Sequence, residues 1–124
     1  MELVSEGPAG GLPVVEGYGD GGFRVDGAWY AGPVLVLPAG AEAWPVTGPA
    51  ALDAAAVSPV LAGGDVDLLV VGTGGMPHPL PQAAGDALRA AGIAVEAMPT
   101  PAAVRTHAVL AAEGRRVAAA LLPV

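Results

Sequence analysis

The chain has 124 residues and no cysteine, enough for one ordinary domain that builds its core without disulfides, thiolate chemistry or cysteine-ligated zinc. Five arginines, no lysine and a net charge of −7 argue against nucleic acid as a partner, because phosphate contacts need clustered positive charge. No apolar run reaches the ~18–20 residues of a membrane helix. The amino terminus, MELVSEGPAGGLP, has neither the order of a secretory signal nor that of an arginine-rich presequence, so a soluble, cytoplasmic protein is expected.

Residues 1–16 are rich in glycine, proline and glutamate and read as a flexible arm, with a short edge strand near Val14-Val15. A single α/β domain is expected over 17–124. Asp26-Gly27 divides Phe23-Arg24-Val25 from Ala28-Trp29-Tyr30. That dipeptide suits the two positive-φ positions of a type I′ turn, which predicts a tight hairpin. Val34 to Leu37 is an apolar run between prolines, a strand buried on both faces. From Ala39 to Ala56 helix formers mix with prolines and no element stands out. Ser58-Pro59 pairs a capping residue with a first-turn proline and opens a short helix to about Ala62.

The second half is more regular. Val66 to Val71 reads as a buried strand, the chain from Pro79 or Leu80 to about Ala91 as a helix with Pro81 in its first turn, and Ile93 to Met98 as a strand. A helix from Thr100-Pro101 to Glu113 and a last strand, RVAAALLPV, follow. Gly92 and Gly114 stand where left-handed helix caps belong. Strand and helix alternate, which predicts an α/β fold: a three-layer single domain with a mixed central sheet, helices packed on it and an N-terminal β-hairpin.

Two segments carry candidate chemistry. In VVGTGGMPHPLP, Val70 to Pro81, Gly72 and Gly74 match the start of a dinucleotide fingerprint, but Pro77 stands where the third glycine belongs. A P-loop needs a lysine that the chain lacks. Pro77, Pro79 and Pro81 also carry no amide hydrogen for a phosphate. The simpler reading is a sharp exit from a buried strand, with Thr73 hydrogen-bonded to a neighbouring loop and His78 facing solvent. His78 and His107, the two histidines, make a poor metal set. Ser5 and Ser58 lie on no nucleophile elbow. Asp65 and Asp67 flank a strand start, where solvated charges are common. No catalytic, cofactor or metal residues are therefore assigned.

The other segment is MPTPAAVRTHAVLAAEGRRVAAALLPV, Met98 to Val124. The amides of a helix beginning at Thr100 form a natural anion site, and Arg105 lies one turn later. Against this, Arg105 and one of Arg115 and Arg116 are expected to pair with Glu96 and Glu113. Gly72, Thr73, Gly74, Thr100, Arg105 and His107 are the candidate ligand or partner site.

DLLVVGTGG (67–75), GYGDGGFRVDG (17–27) and the segment from Gly92 to Val124 resemble a single-domain family. It contains mitochondrial complex I assembly factor three and archaeal and bacterial MTH-type hypothetical proteins. The likeness runs from about Gly17 to the end, and its pattern is specific. Gly72-Thr73-Gly74 ends a strand, Met98 and Thr100 follow, then Arg105-Thr106, Leu110, Glu113 and Arg115-Arg116-Val117. The family's tyrosine and asparagine after arginine-threonine are replaced by His107 and Ala108. The resemblance implies a three-layer α/β domain and no established enzyme activity or cofactor. It implies protein partners, with respiratory-complex subunits as the candidates because eukaryotic members assist assembly of respiratory NADH dehydrogenase. The runner-up is a small-molecule or anion-binding domain using Gly72–Gly75 and the helix start at Thr100. Sparse charge beside abundant alanine and valine also predicts a two-fold dimer, with Trp29, Tyr30 and Trp44 as anchors.

Overall fold

A computed structural model describes residues 12–124 and the backbone of residues 2–3. The expected arm falls largely on residues 1 and 4–11, which lie outside the described residues. Strand β1 (Glu2–Leu3) pairs antiparallel with β2 (Val15–Gly19). Val14 and Val15 are buried, so ordered core begins ahead of Gly17.

The expected hairpin is present and belongs to a larger unit. Strands β3 (Gly22–Val25) and β4 (Ala28–Ala31) pair through Val25 and Ala28, and Asp26 and Gly27 have φ of 49° and 78°. The same device recurs one strand earlier, where Asp20 and Gly21, at 53° and 76°, turn β2 into β3. The N-terminal hairpin is thus part of an antiparallel sheet in the order β1-β2-β3-β4. Gly22 lies under the Trp29 indole across the β3–β4 pair; a Cβ there would sit 2.5 Å from Trp29 Cζ2.

The second sheet is mixed, in the order β6-β5-β9-β7-β8. Its strands are β5 (Val34–Leu37), β6 (Gly40–Ala43), β7 (Leu68–Gly72), β8 (Ala94–Met98) and β9 (Val117–Leu121). β7 is parallel to β8 and β9, while β5 runs antiparallel to β9 and β6. In the stretch from Ala39 to Ala56, strand β6 and a 3-10 turn at Pro49–Ala51 replace the unassigned chain. The helices are α1 (Ser58–Gly63), α2 (Gln82–Ala90) and α3 (Thr100–Ala112).

The alternation along β9 sorts the core into two apolar layers. Val117, Ala119 and Leu121 face α3 and the N-terminal sheet, where Phe23, Val25 and Val104 pack. Ala118, Ala120 and Leu122 face Leu52, Val60 and Leu88 on the other side. The result is the expected three-layer α/β domain. The mixed sheet is central, α3 and the antiparallel sheet share one face, and α1 and α2 cover the other.

Two capping expectations change. Ser58 is the first helical residue rather than the cap, and its hydroxyl donates to Ala55 O at 2.8 Å. Pro99 precedes α3, and the Thr100 side chain does not cap it. The glycine caps hold: Gly92 and Gly114 have φ of 78° and 79°. A Cβ at Gly114 would meet nothing within 4 Å, so strain alone opposes a side chain there. Gly114→Ala should cost about 1 kcal/mol in urea denaturation. Gly63→Ala, in open space at ordinary φ, should be neutral or slightly stabilising.

Candidate functional site

In open α/β sheets, chemistry gathers outside the carboxyl ends of the strands. Here the chain leaves β7 at Gly72, enters α3 at Thr100 and leaves β9 at Leu121, and these three points meet. Thr100 is fully buried. Its hydroxyl donates to Leu122 O at 2.6 Å and accepts the Gly74 N–H at 2.9 Å. Backbone bonds close the rest of the knot. Thr100 N–H donates to Gly74 O, Leu122 N–H to Gly72 O and Thr73 N–H to Met98 O, at 2.8 to 2.9 Å.

Gly72 is required by this approach. A Cβ there would lie 2.7 Å from Thr100 Oγ1 and 2.9 Å from Leu121 Cδ2. Gly74 takes φ of 93°, open to glycine and strained for other residues. Thr73 turns its hydroxyl to Met76 O at 2.7 Å and to Met98 O at 3.2 Å. It therefore bonds its own loop as well as the end of β8. Beyond it the loop is exposed: Met76 is 73% accessible. His78, half-buried, has Nδ1 2.8 Å from Pro79 O.

The structure brings Gly72, Thr73, Gly74 and Thr100 together, turns Arg105 outward, and leaves His107 two turns further along the same buried face of α3 as Thr100. Residues two apart on a helix point roughly 200° apart. Arg105 is exposed on the outer face of α3, beside Thr106, Val109 and Leu110. His107 is 1% exposed on the inner face. Most of the amides expected to hold an anion are engaged or missing. Thr100 N–H binds Gly74 O, Ala103 N–H binds Pro99 O, and Pro101 has none.

Charge pairing also differs from expectation. Arg105 has no ion pair among the described residues. Arg116 pairs instead with Asp67, through Nε at 3.0 Å and Nη2 at 2.7 Å, and more loosely with Asp65 at 3.5 Å. The partners precede β7 rather than lying at Glu96 or Glu113. The Arg116 guanidinium holds the Asp67 carboxyl below its usual range. All three side chains are more than half exposed, so the cluster contributes little to stability.

His107 is the chemically unusual group. Its Nδ1 is buried without a hydrogen-bond partner, and burial lowers its pKa to about 4. The imidazole is therefore neutral at pH 7 and packs as an apolar ring. Sequence reasoning placed it beside Arg105 because the helix's apolar period is blurred by alanine.

A family model described as a protein of unknown function (DUF498/DUF598) matches residues 15–122. An uncharacterised protein of Rhodobacter capsulatus is 44% identical over 94% of this chain and 89% of its own length. The NADH dehydrogenase (ubiquinone) 1 alpha subcomplex assembly factor 3 of Danio rerio is 34% identical over 89% of this chain. This chain spans 64% of that protein's length. Among solved structures, a Bartonella henselae protein described as an outer membrane protein superposes with a TM-score of 0.85. It is 36% identical, with 91% of this chain and 96% of that one covered. A Bordetella pertussis Mth938-like domain gives 0.82 at 35% identity, covering 99% and 92%. No helix among the described residues is long and apolar enough to cross a membrane.

The knot and the buried imidazole each generate an expectation. Thr100→Val keeps the shape but strands the Gly74 N–H and the Leu122 carbonyl, and should cost about 2–4 kcal/mol. Thr100→Ser should recover most of the loss in the same denaturation assay. His107 is protonated below about pH 4 in the folded chain and below about 6.5 when unfolded. Its contribution is therefore complete above pH 6.5 and is lost as pH falls through that window, by about 3 kcal/mol. His107→Phe should remove this part of the acid sensitivity, seen as the difference between the two stability–pH curves.

Proposed function

The chain belongs to the DUF498/DUF598 family, and from that premise we propose that it is a partner-binding protein of the assembly-factor type. Two supports come from different levels. A relative at 34% identity is named as an assembly factor. The polar groups of the three converging strand and helix ends are spent on one another, and what the knot presents outward is the Met76 loop.

That loop carries the reading. Thr73 fixes its base by holding Met76 O, while the Met76 side chain stands 73% exposed. A long, polarizable thioether on a firmly held loop suits an apolar contact with another protein. The partner class is subunits of a respiratory NADH dehydrogenase, as the named relative suggests. Gly72, Thr73, Gly74 and Thr100 act as the frame of that contact rather than as its surface. A cytoplasmic location accords with this role.

The alternative reading, an anion-binding domain, needs free donors along Gly72–Gly75 and at the start of α3. The engaged amides of Gly74 and Thr100 weigh against it. Self-association belongs to the same interaction reading, but its anchors narrow. Trp44 is 2% exposed and donates Nε1–H to Ala56 O, so it cannot serve. Trp29, at 43%, and the half-buried Tyr30 are the aromatic groups left for a dimer.

The test is capture with cross-linking, using the chain as bait for solubilised subunits and assembly intermediates of a bacterial respiratory NADH dehydrogenase. Subunits of that enzyme should cross-link to the wild type. Met76→Glu should reduce their recovery about tenfold or more with an unchanged melting temperature. Recovery of the same subunits by the variant would remove the loop from the contact, and no subunit in either sample would remove the partner class.

A further inference from the structure

The segment after β6 lines an open cleft of about 460 Å³. That is within the range of small-molecule sites. A smaller cleft of about 280 Å³ adjoins it through the shared residues Val46 and Thr47 and runs to Thr73 and Gly74. The two form a trough along one end of the central sheet, lined mainly by apolar groups.

The trough's hydrogen-bonding character is one-sided. Pro45 and Pro59 in the larger cleft, and Pro33, Pro49 and Pro123 in the smaller one, have no amide hydrogen. Several other donors are consumed locally, while the exposed Thr47 hydroxyl, which lines both spaces, has no partner among the described residues. The Trp44 indole N–H goes to Ala56 O and the Ser58 hydroxyl to Ala55 O, both at 2.8 Å. The amides of Val46, Ala51 and Ser58 bond to Trp44, Gly48 and Ala55 carbonyls. At the far end the Thr73 hydroxyl donates to Met76 O, and the amide of Gly74 is held by Thr100. No lysine or arginine lines either space.

One charged group is present. Asp53 accepts the Ala56 N–H on Oδ1 at 2.9 Å, and its Oδ2 has no hydrogen-bond partner among the described residues. A cleft with most donors spent, no cationic side chain, an exposed carboxylate with an open oxygen and apolar walls disfavours anions. It matches a ligand that brings its own donors, a positive charge and an aliphatic body. The chain's net charge of −7 also favours approach of a cation. We propose that this trough binds a primary alkylammonium group, with the ammonium on Asp53 and the aliphatic stem toward Val46. The same chemistry is offered by a free aliphatic amine and by a lysyl side chain of another protein. The chain has no lysine and cannot supply the group itself.

Trp44 borders the larger cleft and reports on it once Trp29, the other tryptophan, is replaced by phenylalanine. Titration of the Trp29→Phe protein with n-hexylammonium should give a saturable fluorescence change. Hexanoate and 1-hexanol should give none. Asp53→Asn keeps the acceptor for Ala56 N–H and should weaken hexylammonium about tenfold or more. Ala55→Leu, at an exposed position on the wall, should block the probe without altering the carboxylate. A tighter response to Nα-acetyl-lysine amide than to hexylammonium assigns the site to a lysyl side chain; the reverse assigns it to a free amine. Equal binding of hexanoate or hexanol, undiminished binding by Asp53→Asn, or no response to either amine would overturn the proposal.

Discussion

The Thr100 hydroxyl is the point at which three separate stretches of chain become one structure. It takes a hydrogen from Gly74 after β7 and gives its own to Leu122 after β9, from the first residue of α3. A buried hydroxyl needs partners on both counts, and here both are main-chain groups that would otherwise be orphaned at strand ends. The arrangement is possible only because Gly72 lets Thr100 approach the β7 backbone. Polar groups at three converging chain ends are thereby turned inward, and the loop beyond Thr73 is fixed at its root.

The centre of the sheet obeys a matching constraint. β9 carries Ala118, Ala119 and Ala120, all fully buried, between strands of valine and leucine. The three alanines on the middle strand let layers pack close on both faces, and most of the large buried residues come from other elements, Phe23, Leu35, Leu52 and Leu88 among them. His107 fits the same logic. It fills space in an aromatic-poor core as a neutral ring, at the cost of an unpartnered nitrogen.

Regular alternation made the C-terminal half legible in the sequence. β7 and β9 there are short apolar runs, and each helix is followed by a glycine that the structure places at positive φ. The Asp26-Gly27 turn was legible for the same local reason. Its twin at Asp20-Gly21 carried the same signal, masked by the surrounding glycines. The stretch from Ala39 to Ala56 was not legible, since its order depends on distant partners: Pro33 O holds Trp44, and β6 exists only because β5 is beside it. At the candidate site, proximity on the chain misled. Thr100 and Arg105 are neighbours in sequence, yet the threonine turns inward to a strand and the arginine outward to solvent. Nothing local announces that a threonine after Met-Pro will serve two strand ends instead of capping its own helix.

The position of β9 has a consequence for how the molecule comes into being. It lies between β5 and β7, although both precede it in the chain by more than a helix. Until residue 121 has been synthesised, the two halves of the central sheet have no strand in common. The N-terminal sheet can close by hairpins, through contacts near in sequence. The other sheet must keep an open slot, with two apolar strand edges exposed, for a segment that comes late. Joining of the layers is then a non-local, slow event, and a ribosome-bound or truncated chain lacking β9 would offer those edges to other chains.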